Sequence, residues 1–296
     1  MAKYITPAVT PIKNGKIDFD SCERLYNHLI AGGVDGILIL GSIGEFFALT
    51  MEEKKKLIAF AHEVVADRVE LIVGTTSMIY SEIVELSNYC YSIGVKSTMI
   101  IPPYYFHFNA DEIYNYYSCL ASDLNGDFYL YNFPDRTGYE IPVSVIKKLA
   151  NDHKNIIGIK DTISGVDHTR EIIKAVKVDR PDFKVYSGFD DNFLHNVMCG
   201  GDGCIAGLSN LYPELTSAWV KAVNDSDLKC AAEIQKKIDK LMDIYSVGKP
   251  FVPFIKEALY INGIISSNEA TKPMPKVTSE QTEALKKIMR GYENEA

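Results

Sequence analysis

Two side chains define the chemistry open to this sequence. Lys160 closes the apolar run NIIGIK at 155–160, and Tyr131 stands next to the end of the run DFYLYN at 127–132. A lysine at the tip of a buried run holds its head among apolar neighbours. Burial favours the neutral amine, which attacks a ketone to form a Schiff base. The competing reading is a lysine whose head snorkels to water along its own stem. A phenol at the matching height of an adjacent run can shuttle the protons that carbinolamine formation and dehydration require. The chain holds 18 tyrosines, so a single tyrosine carries little weight and the pairing carries more. A third element is the turn Gly41-Ser42-Ile43-Gly44-Glu45, whose backbone N–H groups and Ser42 hydroxyl suit a carboxylate. Read alone, it is equally a tight glycine turn without a ligand.

The elements that must position these groups follow from periodicity. Eight short apolar runs, YITPAV and those at 35–40, 69–74, 96–101, 127–132, 155–160, 183–188 and 203–208, alternate with stretches of helical spacing. Runs apolar at nearly every residue are buried on both faces, as parallel strands covered by helices are. Thr50 with Glu53 makes a capping box ahead of a stripe of Leu57, Ile58, Ala61, Val64 and Val65. A second stripe runs Ile79, Ile83, Leu86, Cys90 and Ile93. Eight βα units in series, with no GxGxxG after any strand, predict an α/β fold of the (βα)8 TIM barrel type. Helical stretches at about 212–245, 249–261 and 279–292 predict a C-terminal helical extension, so the chain divides into a barrel over 1–224 and a helical region over 225–296.

Composition narrows the partners. The 296 residues carry 31 Lys plus Arg against 39 Asp plus Glu, a net charge of -8, without a dense basic stripe, which argues against nucleic acid. No window approaches the roughly 18–20 apolar residues of a membrane span. The N-terminus lacks the charged and apolar regions of a secretory signal. The six cysteines form no CxxC and most sit in apolar stretches, so a reducing cytoplasm is expected. Without HxH or HExxH, neither a protein-held metal nor another cofactor is expected.

A barrel works at the C-terminal ends of its strands. There the chain reads GSIGE, PPYY, YNFP followed by TG, GIKDT and GGDG, in that order. Together these resemble the dihydrodipicolinate synthase / N-acetylneuraminate lyase family of pyruvate-dependent class I aldolases, over the whole chain. The resemblance implies a Schiff base between Lys160 and pyruvate, Tyr131 as general acid/base, and Ser42 and Tyr105 as relay hydroxyls. The tyrosine matching Tyr105 reaches in from a neighbouring subunit in that family, so a dimer or a tetramer of dimers is implied. The backbone of Ser42 and Ile43 would hold the pyruvate carboxylate, although Ile43 stands where the family usually has a second hydroxyl. Ile205 matches a residue packed near pyruvate, and Gly207 follows it at the end of the eighth run.

Three local features bear on the second substrate. Gly188-Phe189-Asp190-Asp191 is similar to the sugar-acid and lyase branches; carboxylates there suit sugar hydroxyls and repel an anionic aldehyde. The same two aspartates could instead cap the seventh barrel helix. Thr162 likewise matches a hydroxyl-binding threonine of the lyase branch. Arg136, by contrast, resembles a carboxylate-binding arginine of the synthases, or forms a surface pair with Asp135 or Glu140. Weighed together, the motifs are most similar to the 2-keto-3-deoxy sugar acid aldolases, which implies a sugar acid split into pyruvate and an aldehyde. The alternatives are 4-hydroxy-tetrahydrodipicolinate synthase, N-acetylneuraminate lyase and, from another class, a non-catalytic keto-acid sensor, since fold does not decide function.

Overall fold

The computed structural model describes residues 1–293; the last three positions of the expected 225–296 region lie outside the described residues. Among the described residues ten strands form, in chain order β1 (Lys3–Pro7), β2 (Ile12–Lys13), β3 (Lys16–Ile17), β4 (Gly36–Ile39), β5 (Glu70–Gly74), β6 (Ser97–Ile100), β7 (Asp127–Asn132), β8 (Ile156–Asp161), β9 (Lys184–Ser187) and β10 (Gly203–Ile205). Eight of them close into a barrel in the order β1-β10-β9-β8-β7-β6-β5-β4, while β2 and β3 make a small hairpin. All eight apolar runs are therefore barrel strands. The last is shorter than its run, because Ala206 and Gly207 lie beyond the ladder and a 3-10 turn begins at Leu208.

The fold separates into two compact units. One holds Leu71–Ile205 with Met1–Lys3. In it β5 to β10 pair in parallel, and Ile100, Phe128, Leu130, Ile156, Ile159, Phe183 and Val185 pack outward against Tyr117, Leu120, Ile146, Leu149, Ile172 and Val176 of the covering helices. The stripe Ile83, Leu86, Cys90 is buried as its spacing requires. Ile79 is not: it precedes the helix Tyr80–Ser92 and is 55 % exposed, since a residue outside the first turn does not share the helix face.

The other unit holds Tyr4–Glu70 and the chain from Ala206 onward. The capping box forms as read: Thr50 accepts from the Glu53 amide while Glu53 accepts from the Thr50 amide. The expected helix 212–245 is two helices, Pro213–Asn224 and Leu228–Leu241, followed by a 3-10 segment Met242–Ser246. Asp227 explains the break, since its carboxylate accepts from the Cys230 amide and starts a new helix. Trp219, fully buried, donates its indole N–H across that break to the Ala231 carbonyl at 3.0 Å. Helices Val252–Ile261 and Ser279–Glu293 complete the C-terminal region. Of the six free cysteines only Cys22, Cys90 and Cys204 are buried; Cys119 and Cys230 are exposed, contrary to the expectation that most are interior. No helix among the described residues is long and apolar enough to cross a membrane.

Candidate active site

Tyr131 and Lys160 are direct register partners on β7 and β8. They owe that alignment to an irregularity in the ladder. Phe128 pairs with Ile156 but Tyr129 pairs with Gly158, so β8 carries one extra residue at Ile157. Such a bulge re-aims every side chain after it. An unshifted ladder would set Tyr131 against Ile159. Inside the barrel, Gly158 leaves the room that the Tyr129 ring fills, since a Cβ there would stand 2.7 Å from the Tyr129 Cε1. Lys160 and Tyr131 are each 5 % exposed, and the Lys160 Nζ lies 4.6 Å from the centroid of the Tyr131 ring. The reading of Lys160 as a solvent-seeking strand-end lysine is therefore excluded by its burial.

The same unit gathers the residues read for the second substrate on β8 and β9. Thr162 follows β8, and its Oγ1 is buried with no hydrogen-bond partner. Gly188 follows β9 directly against it, and any Cβ there would land on the Thr162 hydroxyl. Glycine is required at this position by that close approach. Asp190 is buried and Asp191 exposed in a 3-10 turn ahead of the helix Phe193–Met198. Asp190 and Asp191 both stand in the first turn of the 3-10 segment, where the dipole favours them, while the N-cap positions themselves are Phe189 and Asn192, neither with a side-chain cap bond. Ile205, at the end of β10, is fully buried. Beside it Cys204 donates to the Phe189 carbonyl, and burial together with the nearby Asp190 carboxylate pushes its thiol far up, away from thiolate chemistry.

Behind the Lys160–Tyr131 pair lies a ring of hydrogen bonds that periodicity does not reveal. The residues following Tyr131 and Lys160, Asn132 and Asp161, are again register partners, and being one position on they face the helix layer. The Asn132 amide donates to Asp161 Oδ1 at 2.7 Å, and its Oδ1 accepts from the Ile141 amide at 2.9 Å. Thr169 donates to Asp161 Oδ2 at 2.5 Å. His168 closes the ring, with Nδ1 3.1 Å from both Asp161 oxygens and Nε2 3.1 Å from the Ile141 carbonyl. Both ring nitrogens face acceptors, and the form that satisfies them together is the doubly protonated imidazolium. Burial alone pushes the His168 pKa down; hydrogen bonding and attraction to Asp161, with Glu140 adding, outweigh it and hold the pKa above the ordinary imidazole value.

The second unit contributes the turn after β4. Leu40 and Glu45, at φ 55° and 56°, both take the left-handed conformation and bracket the four residues 41–44. Non-glycine residues there store about 1–3 kcal/mol each, a load that persists only where surroundings hold it. The turn closes through the Gly44 amide on the Gly41 carbonyl and the Glu45 amide on the Ser42 carbonyl, at 3.0 and 3.3 Å. The Ile43 amide takes no part in those bonds. Thr10 donates to the Gly44 carbonyl at 2.7 Å. Glu45 anchors the turn from below: fully buried, it pairs with Lys256 and accepts from the Thr271 amide and hydroxyl at 2.7 and 2.6 Å. Burial pulls the Lys256 pKa down while the Glu45 carboxylate opposes that pull. Gly207 borders Ile43 in this unit, where an added Cβ would stand 3.2 Å from Ile43 Cδ1 and 2.6 Å from the Tyr245 hydroxyl.

Two expected site residues stand apart. Tyr105 is 79 % exposed and touches Phe106 edge-on at 5.1 Å between ring centroids. Arg136 is exposed; it lays its guanidinium 4.9 Å over the Phe133 ring and donates to the Asp135 carbonyl, so its expected pairing with the Asp135 or Glu140 carboxylate is not seen among the described residues. Among those residues no three His, Cys, Asp or Glu side chains converge as a metal site would need.

A buried lysine aligned with a tyrosine at the C-terminal mouth of a (βα)8 barrel is the arrangement that a Schiff-base aldolase requires. The model of the Dihydrodipicolinate synthetase family matches residues 1–291, and the chain belongs to that family. It is accordingly a carbon–carbon lyase of the class I aldolase type. Its relatives include "Putative 2-dehydro-3-deoxy-D-gluconate aldolase YagE" of Escherichia coli K12, 34% identical over 97% of this chain and 95% of the relative. A 4-hydroxy-tetrahydrodipicolinate synthase of Kosmotoga olearia is 32% identical over 95% of each chain. Among solved structures, YagE in complex with pyruvate superposes with a TM-score of 0.95 at 33% identity, covering 99% of this chain and 98% of its own. The dihydrodipicolinate synthase of Thermotoga maritima superposes at 0.94 with 28% identity over the same shares.

Proposed function

We propose that this enzyme reversibly cleaves a 2-keto-3-deoxy sugar acid into pyruvate and an aldehyde, with Lys160 as the Schiff-base lysine. The observation that carries the reading is the bulge-aligned pair of buried Lys160 and Tyr131. The neutral Lys160 amine adds to the C2 ketone, and loss of water gives a protonated imine. Tyr131 takes the C4 hydroxyl proton, the C3–C4 bond breaks, and its electrons enter the imine to leave an enamine as the aldehyde departs. Protonation at C3 and hydrolysis then release pyruvate and restore Lys160. The Ser42–Ile43 backbone holds the carboxylate in this scheme, with Ile205 and Gly207 packed near it, and Ser42 and Tyr105 relay protons, Tyr105 from a neighbouring subunit of a homo-oligomer. The barrel over 1–224 is the catalytic domain, the helices over 225–296 support it, and the setting is the cytoplasm.

The sugar-acid assignment is supported by the buried, unpartnered Thr162 hydroxyl facing Gly188, with buried Asp190 two residues on. Hydroxyl and carboxylate groups placed there discriminate a polyhydroxylated chain by hydrogen bonding. The names of YagE and of "Probable 2-dehydro-3-deoxy-D-pentonate aldolase YjhH" point the same way. Exposed Arg136 favours a second reading, condensation of pyruvate with aspartate semialdehyde, and the Kosmotoga synthase is nearly as similar. Pyruvate release from a panel of 2-keto-3-deoxy sugar acids, beside a coupled assay with aspartate semialdehyde, separates the two. Activity on the semialdehyde alone overturns the sugar-acid reading.

A further inference from the structure

We infer that His168 is a positioning residue for the Lys160–Tyr131 pair, acting as an imidazolium that locks the ends of β7 and β8 through Asp161, Asn132 and Ile141. This rests on the assignment of Lys160 and Tyr131 as the reacting groups. The argument is one of closure. Asn132 and Asp161 each lie one residue beyond a reacting side chain and are bonded to each other across the two strands. Ile141 is held at both ends of its peptide unit, its amide by Asn132 and its carbonyl by His168. His168 returns to Asp161, so the four residues form a loop of hydrogen bonds in which no member moves alone. The loop also fixes the chain between Asn132 and Ile141, which carries Phe133 and Arg136.

The bulge at Ile157 gives the loop its purpose. A strand pair whose register has shifted once needs an additional constraint beyond the shift, because a slip of one residue turns every side chain to the opposite face. Hydrophobic burial does not supply that constraint after Ile159, where the strand ends in Lys160 and Asp161. The side-chain ring does. A neutral His168 has one proton to offer two acceptors and opens the ring on one side. The charged and titratable groups facing it are Asp161 from β8 and Glu140 from the segment before helix Val143–Asp152. Thr169, beside it on its own helix, shares Asp161 and is not titratable.

The test starts by trapping Lys160 with pyruvate and borohydride in the wild-type protein, read by intact mass and peptide mapping. Absence of label on Lys160 overturns the assignment of the reacting groups and leaves His168 with nothing to position. With label present, His168→Gln is titrated the same way to count competent sites, and pyruvate release is expressed per labelled site. The expected result is an unchanged KM with kcat per labelled site lower by about tenfold, the scale of a small misalignment of reacting groups. In the wild type kcat is expected to decline as His168 deprotonates, and the variant is expected to lack that decline. An unchanged kcat per labelled site overturns the inference. Nitrogen-15 NMR of wild-type histidine keeps the proposal falsifiable if the variant does not fold. Both His168 ring nitrogens are expected to be protonated at neutral pH, and a neutral tautomer throughout about pH 6–8 overturns it.

Discussion

The molecule buries a carboxylate behind each of two strand ends, and it neutralises the two by different means. Asp161, behind Lys160, is met by Asn132, His168 and Thr169, all from its own and the adjoining barrel unit. Glu45, in the turn after β4, is met by Lys256 and by Thr271, the latter 226 positions along the chain. The Lys160–Tyr131 pair is thus held by local barrel structure, whereas the turn after β4 is held by the C-terminal helical region. The difference assigns that region a role. It is the ballast that keeps a turn with two left-handed residues from relaxing. The two neutralising groups also differ in kind: hydrogen bonding and attraction to Asp161 hold the His168 pKa above its ordinary value, whereas burial pulls the Lys256 pKa below its own.

Substitutions can break or sharpen this contrast. The largest effect is expected at Lys160. Lys160→Met should lower pyruvate release by about four orders of magnitude, as removal of a nucleophile does, while leaving the urea midpoint close to that of the wild type. Lys256→Met should do the reverse. It strands the fully buried Glu45 carboxylate and should cost about 3–5 kcal/mol of stability in urea unfolding, with Lys160 still labelled in the folded fraction. Pairing it with Glu45→Gln should recover most of that loss; no recovery would detach Glu45 from Lys256. Gly188→Ala comes next, at about 1–3 kcal/mol for forcing a methyl group onto Thr162, accompanied, under the proposed function, by a raised KM for the substrate rather than a lost Schiff base.

The smallest effect is a pH dependence. His168 has its pKa raised in the folded protein, so its stabilising contribution is complete below the ordinary imidazole pKa and is lost as pH rises through the higher folded value. Urea midpoints should therefore fall on the alkaline side of neutrality by an amount on the scale of one hydrogen bond, about 0.5–1.5 kcal/mol. His168→Gln should flatten that fall. A wild-type midpoint that rises over the same range would contradict the charged ring.

Much of this was legible in the residues themselves. Apolar runs that stop abruptly locate all eight barrel strands, and the residues at their ends, Lys160 and Tyr131 among them, are the ones the ladder brings into register. The bulge was hidden because Ile156 and Ile157 are both apolar, and periodicity does not register an extra residue where neighbours are alike. His168 sits in the first turn of an amphipathic helix, where a polar residue reads as surface; only its spacing of seven from Asp161 distinguishes it. Glu45 reads as the end of a glycine turn, and nothing nearby announces a partner as distant as Lys256. Tyr245 was absorbed into a continuous helix that Asp227 in fact divides, so its place beside Gly207 was missed.

The extra residue at Ile157 works as a phase setting. An unbulged ladder with the same residues would leave the composition of β8, its apolar character and its flanking helices untouched, yet beyond that point inside and outside would exchange roles. Asp161 would be turned toward the barrel interior, and Lys160, set against Asn132, toward the helices. The bulge absorbs the extra residue, so that removing Ile157 should make the ladder regular and still leave Lys160 opposite Tyr131. What sets the facing of Lys160 is therefore the local backbone at Ile157 and not the count of residues alone.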